Sequence, residues 1–597
     1  PTIAIPRDEL ETLLTQTDGT PLLPELEAAR SDRAALQAKA STQAVLEATA
    51  DVLEDVDAIP QTTYTLYREF QRTGERYSYQ NPFNLKRNRL WAAALRVFFG
   101  DDSHLDTVHD YTWDVCEETN WVIPAHENRV IDLAAVGTGI NLAEMLVLIS
   151  DVMADEVVQR VRDEIDHRIF EPYLAEDPSL GWFHGTNNWN GVCNGGIGAM
   201  FLWLEEDPAR LAEGLALVLD GLDVFLKTAF EDDGASTEGT GYWQYGLSNV
   251  IPFAEMLRFR TGGEIDLLGL DRMADIAAYP LHVVLSPGRY ASFSDCAPSI
   301  SLTPGNLVRL AERTGVGALP SLMAPPAPIS ASASLPLMLR NILWWDGQRP
   351  ETLEIDDAVL PEGEVVRFVA EPAGAPRLVL AAKAGHNAEN HNQNDVGSFI
   401  LHMDGEDLLC DPGRGLYSRQ YFSPLRYDNI FASAYGHSVP VIDRQLQAAG
   451  LEFSGELLEV APDEKRVVIG FGDAYPVEGL DRATRTLRLD PTSPPAGTLW
   501  IEDAFYVTGA PLPVEEVFVT WAEVEIDGAT ATLCGERSDV VMTIEAPEGA
   551  AFAVKALEEA SLSNKKEGIL KRLTFDVPPA SQMHAHIRVD VLPHPES

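Results

Sequence analysis

Three segments of the 597-residue chain combine polar side chains, glycines and aromatic rings in patterns that core packing does not require. In residues 182–194, WFHGTNNWNGVCN, four asparagines fall within eight positions. Asparagine disfavours helix interiors, so a loop presenting these amides at a cleft could bind a carboxylate or sugar hydroxyls; the alternative is a capping loop. Residues 232–246, DDGASTEGTGYWQYG, run from glycines into Tyr242, Trp243 and Tyr245. A tyrosine hydroxyl can pass a proton in either direction, although aromatic rings beside a glycine loop also stack on sugars or pack. The third segment is the densest, with Lys383, His386, the run HNQND at 391–395, CDPGR at 410–414, Arg419, Arg426 and His437. This local excess of cations suits an anionic ligand, and its His, Asp and amide groups have metal-ligand character.

The cationic cluster is conspicuous because the chain is acidic. Its 44 Lys and Arg face 92 Asp and Glu, for a formal charge of −48. Such a field disfavours nucleic acid and anionic membranes, while a screened local basic cleft can still take a polyanion. No apolar run reaches the roughly 18 residues of a membrane helix. The five cysteines show no CxxC spacing and read as small buried hydrophobes. With apolar residues at 45%, the chain can bury substantial cores, and its length calls for more than one domain. It opens at Pro1 without a basic-then-apolar leader, so the expectation is a soluble protein, periplasmic or secreted if a signal peptide was removed and otherwise cytoplasmic.

Two kinds of element must carry these groups. From about residue 8 to 320 the periodicity is helical, most clearly after Asp207 and Pro208, where Leu211, Leu215, Val218, Leu219, Leu222, Phe225 and Leu226 form one stripe. Similar stripes at 36–53, 90–99, 133–153 and 157–170 suggest successive helix hairpins, a bundle or α/α toroid. Around 326–336 a Pro-, Ala- and Ser-rich stretch reads as a linker. Beyond it the period becomes two, as in Met583, Ala585, Ile587, Val589 and Val591, with turn signals such as Asp527-Gly528, the pattern of a large antiparallel β-sandwich. The expected organisation is α+β and multidomain: a helical toroid over 1–325, the linker, and a β-sandwich over 337–597.

The stretch HNQNDVGSFILHMDGEDLLCDPGRGLYSRQYF, followed by R-x(10)-H from Arg426 to His437, resembles the signature region of the heparinase II/III-like polysaccharide lyases. NNWNGVCNGG and DGASTEGTGYWQYG are similar to that family's helical-domain motifs, in the same order. The resemblance implies a toroid joined to antiparallel sheets, a long cleft between them, and β-elimination of uronate-containing polysaccharides. It implies that Asn187 and Asn188 neutralise the substrate carboxylate, that Tyr242 is the catalytic tyrosine with Tyr245 as the nearby alternative, and that His391 is the first histidine of an H-x-H-x-D motif. The second histidine of that motif, a metal ligand in the family, is Gln393 here. Asp411 and His437 match the other two ligands, so one structural divalent metal (Zn, Mn or Ca) is expected, on a harder site than His–Asp–His. No organic cofactor is implied.

These readings converge on a lyase acting on an acidic polysaccharide or oligosaccharide, of glycosaminoglycan or alginate type. His184, Trp189, Trp243, Arg414 and Arg419 are expected to contact it. One alternative is a glycoside hydrolase with Asp233 and Glu238 as its carboxylate pair. Another is a non-catalytic glycan binder stacking sugars on Trp182, Trp189, Trp243 and Tyr242.

Overall fold

The computed structural model describes residues 3–323, 329–330, 333–350, 352–372, 374–493 and 495–594. The chain divides into two compact units. One holds the chain up to Phe230 with Tyr242–Ala277 and Ser301–Thr352; the other holds Glu231–Gly241, Ala278–Ile300 and the chain from Leu353 on. Helix Leu335–Trp344 groups with the first unit, so the final change of unit falls at Thr352 and Leu353. Residues 326–328 and 331–332 of the expected linker lie outside the described residues.

The first unit is built of helices packed on their sequence neighbours. Pro208–Thr228 forms where the stripe places it: the Asp207 carboxylate accepts from the Ala209 and Arg210 amides, Pro208 fits the first turn, and the seven stripe residues are buried. Asp132 caps Leu133–Ile149 in the same way. Helix Asn188–Leu204 packs against both of these helices. Its glycines permit that approach, since a Cβ on Gly191 would lie 2.7 Å from the Phe225 ring and one on Gly198 would lie 2.5 Å from Phe253. Among the described residues, no helix is long and apolar enough to cross a membrane.

The second unit is antiparallel sheet. Described residues form a nine-stranded, a five-stranded and a four-stranded sheet, with one short hairpin besides. In the largest, Thr498–Val507 lies between Leu480–Asp490 and Gln582–Pro593, with Leu499 opposite Val589 and Ile501 opposite Ile587. Alternate residues face inward, as the period of two requires. Val589 and Ile587 join Phe368, Leu380 and Leu401 of the five-stranded sheet, with Phe518 and Leu573 of the four-stranded one, in a single core. Through that core runs a buried ion cluster: Arg485 pairs with Asp503 and donates to the carbonyls of Gly397 and Ser438. It thereby anchors the loops that carry Asp395 and His437. All five cysteines are free, four of them buried.

Candidate active site

In the second unit, strand Leu378–Lys383, the loop through residue 395, the segment after strand Glu406–Leu409 and the turn around Asp295 bring the cationic segment together. His391 adopts a left-handed backbone, φ 57°, a conformation that costs a non-glycine residue energy and re-aims its ring. Its Nδ1 lies 3.0 Å from Asp295 Oδ2 and its Nε2 3.4 Å from Glu238 Oε1. Asp295 is fully buried and saturated with donors. Tyr417 donates to Oδ2 at 3.1 Å, Tyr421 to Oδ1 at 2.8 Å and Gln393 Nε2 to Oδ1 at 3.3 Å, and Arg426 pairs with Oδ1 at 2.9 Å. Burial works against the Asp295 charge, but the hydrogen bond from His391 and the Arg426 guanidinium hold its carboxyl below the usual range. The Tyr417 hydroxyl is also 3.3 Å from His391 Nδ1, and the Arg414 guanidinium stands 4.0 Å over the Tyr417 ring.

With Nδ1–H committed to Asp295, a proton can pass at Nε2, beside Glu238. Asp295, Tyr417 and Tyr421 are the functional candidates that sequence reasoning missed. The two tyrosines stand in the quoted GLYSRQYF stretch, whereas nothing near Asp295 in sequence marks it. Glu238 faces His391, while both oxygens of Asp233 accept backbone amides, from Glu362, Gly363 and Ala235. Asp233 is thus committed to holding backbone, whereas Glu238 faces the imidazole. Arg419 is exposed.

Two of the three expected metal ligands, Asp411 and His437, share one buried group with Asp395. Among the described residues, Asp395, Asp411 and His437 place ligand atoms within 4.8 Å of one another, all buried. Gln393 donates its Nε2 to Asp295, while its Oε1 is buried without a hydrogen-bond partner among the described residues. Burial pushes the Asp411 carboxyl up although His437 works to lower it, while Asp411 outweighs burial to push His437 up, the two lying 3.2 Å apart. Lys383 adds an ion pair to Asp395 at 2.8 Å. Asp395 Oδ2 and His437 Nε2 are buried without a hydrogen-bond partner among the described residues. Two orphaned donor atoms beside a second carboxylate fit a divalent cation.

In the first unit the asparagine run is helix, not loop. Asn187 is the half-buried N-cap whose Oδ1 accepts from the Trp189 amide, and Asn188, only 2% exposed, opens the helix. Asn190 donates to the carbonyls of Gly185 and Gly221, and Asn194 donates to Phe183 while accepting from Tyr173. Those two amides tie the preceding loop to the next helix. Tyr242 and Tyr245 lie in the first turns of helix Thr240–Arg260, the former half-buried and the latter exposed. Trp243 is buried with its indole N–H donated to the Ile276 carbonyl, and Trp182 is buried with its own donated to Ile131, so neither can stack on a sugar. Trp189 remains half-buried, edge-on to His126 at 4.7 Å, and His184 is exposed and paired with Asp220 at 2.7 Å.

No family model matches the chain, and no curated protein matches it by sequence. Solved structures do. A crystal structure of heparinase III superposes with a TM-score of 0.63 at 13% identity, covering 93% of this chain and 85% of that one. The heparan sulfate lyase HepC of Pedobacter heparinus, in a mutant form, gives 0.60 at 13% identity over 92% and 84% of the two chains. At that identity the likeness is one of fold, spanning both units. The chain has the heparinase-like fold.

Proposed function

We propose that the chain is a polysaccharide lyase that cleaves uronate-containing acidic glycans by β-elimination. The observation that carries this reading is His391 held by Asp295, with Glu238 at its other nitrogen and Tyr417 and Arg414 beside it, on a heparinase-like fold.

The chemistry asked of these groups is removal of the C5 proton of a uronate, followed by breakage of the C4–O4 bond. The C5–H electron pair becomes the C4–C5 double bond, and the departing O4 takes up a proton. C5–H is weakly acidic, so the uronate carboxylate must be neutralised before a base can act. In the second unit Arg414 supplies a cation for that carboxylate, and His391 accepts or returns a proton at Nε2. Tyr417 and Asp295 hold the ring in one tautomer. In the first unit, Tyr242 is assigned the proton given to the leaving oxygen, with Tyr245 as its neighbour, and Asn187 donates to the carboxylate. Asp395, Asp411 and His437 would hold a divalent cation. When bound, it would cross-link the loops that carry these groups, a structural role.

The test is incubation of the purified chain with heparan sulfate, hyaluronan, chondroitin sulfate and alginate, followed in the ultraviolet for the unsaturated uronate. A new double bond on at least one polymer is expected. Reducing ends generated without unsaturation would replace the lyase by a hydrolase, and binding without any product would leave a glycan-binding protein.

A further inference from the structure

Helices Tyr64–Thr73 and Tyr77–Phe98 and the C-terminal end of Leu105–Glu117, all in the first unit, enclose a second cavity of about 540 Å³. That lies within the roughly 300–1,000 Å³ that small-molecule sites occupy. Its aromatic wall is rigid. Tyr67 meets Tyr79 edge-to-face at 5.7 Å, and Tyr79, 5% exposed, sits with Phe83 and Ile123 in a small core of its own. At the mouth Tyr64 is 71% exposed, the largest exposure of any tyrosine among the described large apolar side chains, with the Arg68 guanidinium 5.9 Å from its ring centre.

The charges around the cavity are already matched. Lys86, only 2% exposed, pairs with Asp114 and with Glu118 at 2.9 Å, and Arg87 pairs with Glu118 at 2.7 Å. Arg68 pairs with Glu127 at 3.1 Å, and Glu117 pairs with Arg160 at 3.2 Å. Four cations thus meet four carboxylates, leaving none of these cations for an anionic ligand and none of these carboxylates for a cationic one. The remaining polar lining is neutral: Gln61, Thr62, Thr119 and Asn120. Aromatic faces with neutral donors and acceptors suit a ring that is apolar on its faces and hydroxylated at its edge.

We propose that this cavity is a binding site for an uncharged pyranose, a hexose or an N-acetylated hexosamine, stacked on Tyr64 and held at its edge by Asn120. The proposal rests on the reading that the chain acts on a glycan, and it assigns the cavity to a ring of that glycan other than the uronate.

The test is isothermal titration of the full chain with N,N′-diacetylchitobiose, maltose and glucuronic acid, measured apart from any cleavage. Saturable binding of at least one neutral disaccharide is expected, weakened about tenfold by Tyr64→Ala, the loss of one aromatic contact. Asn120→Ala should weaken it as well, and neither variant should change the small glucuronate response. Tyr64 is exposed, so its variant should melt with the wild type and keep the test readable. No saturable binding of either neutral probe, or binding that both variants leave intact, would overturn the proposal. So would glucuronate displacing the neutral sugar at lower concentration. Because elimination is not measured, a failure here leaves the lyase reading standing, and a failure of the polymer panel leaves this site standing.

Discussion

His391 Nδ1 lies 3.0 Å from the Asp295 carboxylate, across 96 residues of sequence. The carboxylate that orients the imidazole also takes hydrogen bonds from Tyr417, Tyr421 and Gln393 and an ion pair from Arg426. A single buried anion therefore sets the tautomer of the histidine and organises the loop around it. Replacing it should separate the two effects. Asp295→Asn keeps the shape but lets the amide present either its oxygen or its nitrogen to the ring. Turnover should fall at least ~100-fold with KM changed far less, as when the orienting carboxylate of a catalytic histidine is removed. The melting temperature should also drop, because Arg426 loses its partner. Unchanged turnover with a lowered melt would make Asp295 purely structural.

Tyr242 is assigned the proton at the leaving oxygen and Tyr417 the support of the His391 ring, so their variants should differ in cost. Tyr242→Phe removes a hydroxyl from the first turn of helix Thr240–Arg260 and should cost at least ~100-fold in turnover. Tyr417→Phe should cost about tenfold, since it removes one of several bonds to Asp295. Steady-state kinetics on the same polymer decides, and the reverse ranking would move the role to Tyr417.

The asparagine pair divides by burial. Asn187→Asp keeps a good N-cap, so the melt should hold, but it sets an anion where a uronate is expected and should raise KM at least tenfold. Asn188→Asp buries a charge and should lower the melt more than Asn188→Ala does. Equal KM for Asn187→Asp and wild type would release Asn187 from carboxylate binding.

Elemental analysis should find about one divalent metal per chain, with chelation lowering the melt. Asp395→Asn and Asp411→Asn should each lose the metal, and the metal content of Gln393→Leu decides whether the buried Gln393 Oε1 is a further ligand. Metal-free protein whose melt ignores chelation would leave Asp395, Asp411, His437 and Lys383 as a self-sufficient ion cluster.

Burial, only partly offset by Lys383, pushes Glu389 up to about 7. Its folded value is above its unfolded one, so the folded state binds more protons and stability falls as pH rises from about 4.5 to 7. Glu389→Gln lacks that loss. It should match wild type near pH 4 and exceed it above pH 7 by about 2 kcal/mol at most, a scale set by the shift and reduced for partial exposure. Melts across pH 4–9 that stay parallel would refute this.

Short-range periodicity and local capping govern what could be read from residue order alone. The stripe after Asp207 and the alternation through Met583–Val591 are burial patterns of single elements, legible because each element must bury one face wherever it packs. The HNQND and CDPGR runs were legible for the same local reason, as dense chemistry in a short stretch. Tertiary structure decided the rest. Asn190 and Asn194 are helical despite poor propensity, because their amides find buried partners and the intervening glycines let Phe225 and Phe253 close in. Asp395 joins Asp411 and His437 in one buried group, because loop direction, not residue type, aims the side chain. Asp295 meets His391 only because the turn at 294–296 and the 391 loop belong to one sheet-built unit. A contact between residues so far apart has no local signature: it exists only once long-range strand pairing has brought the loops together.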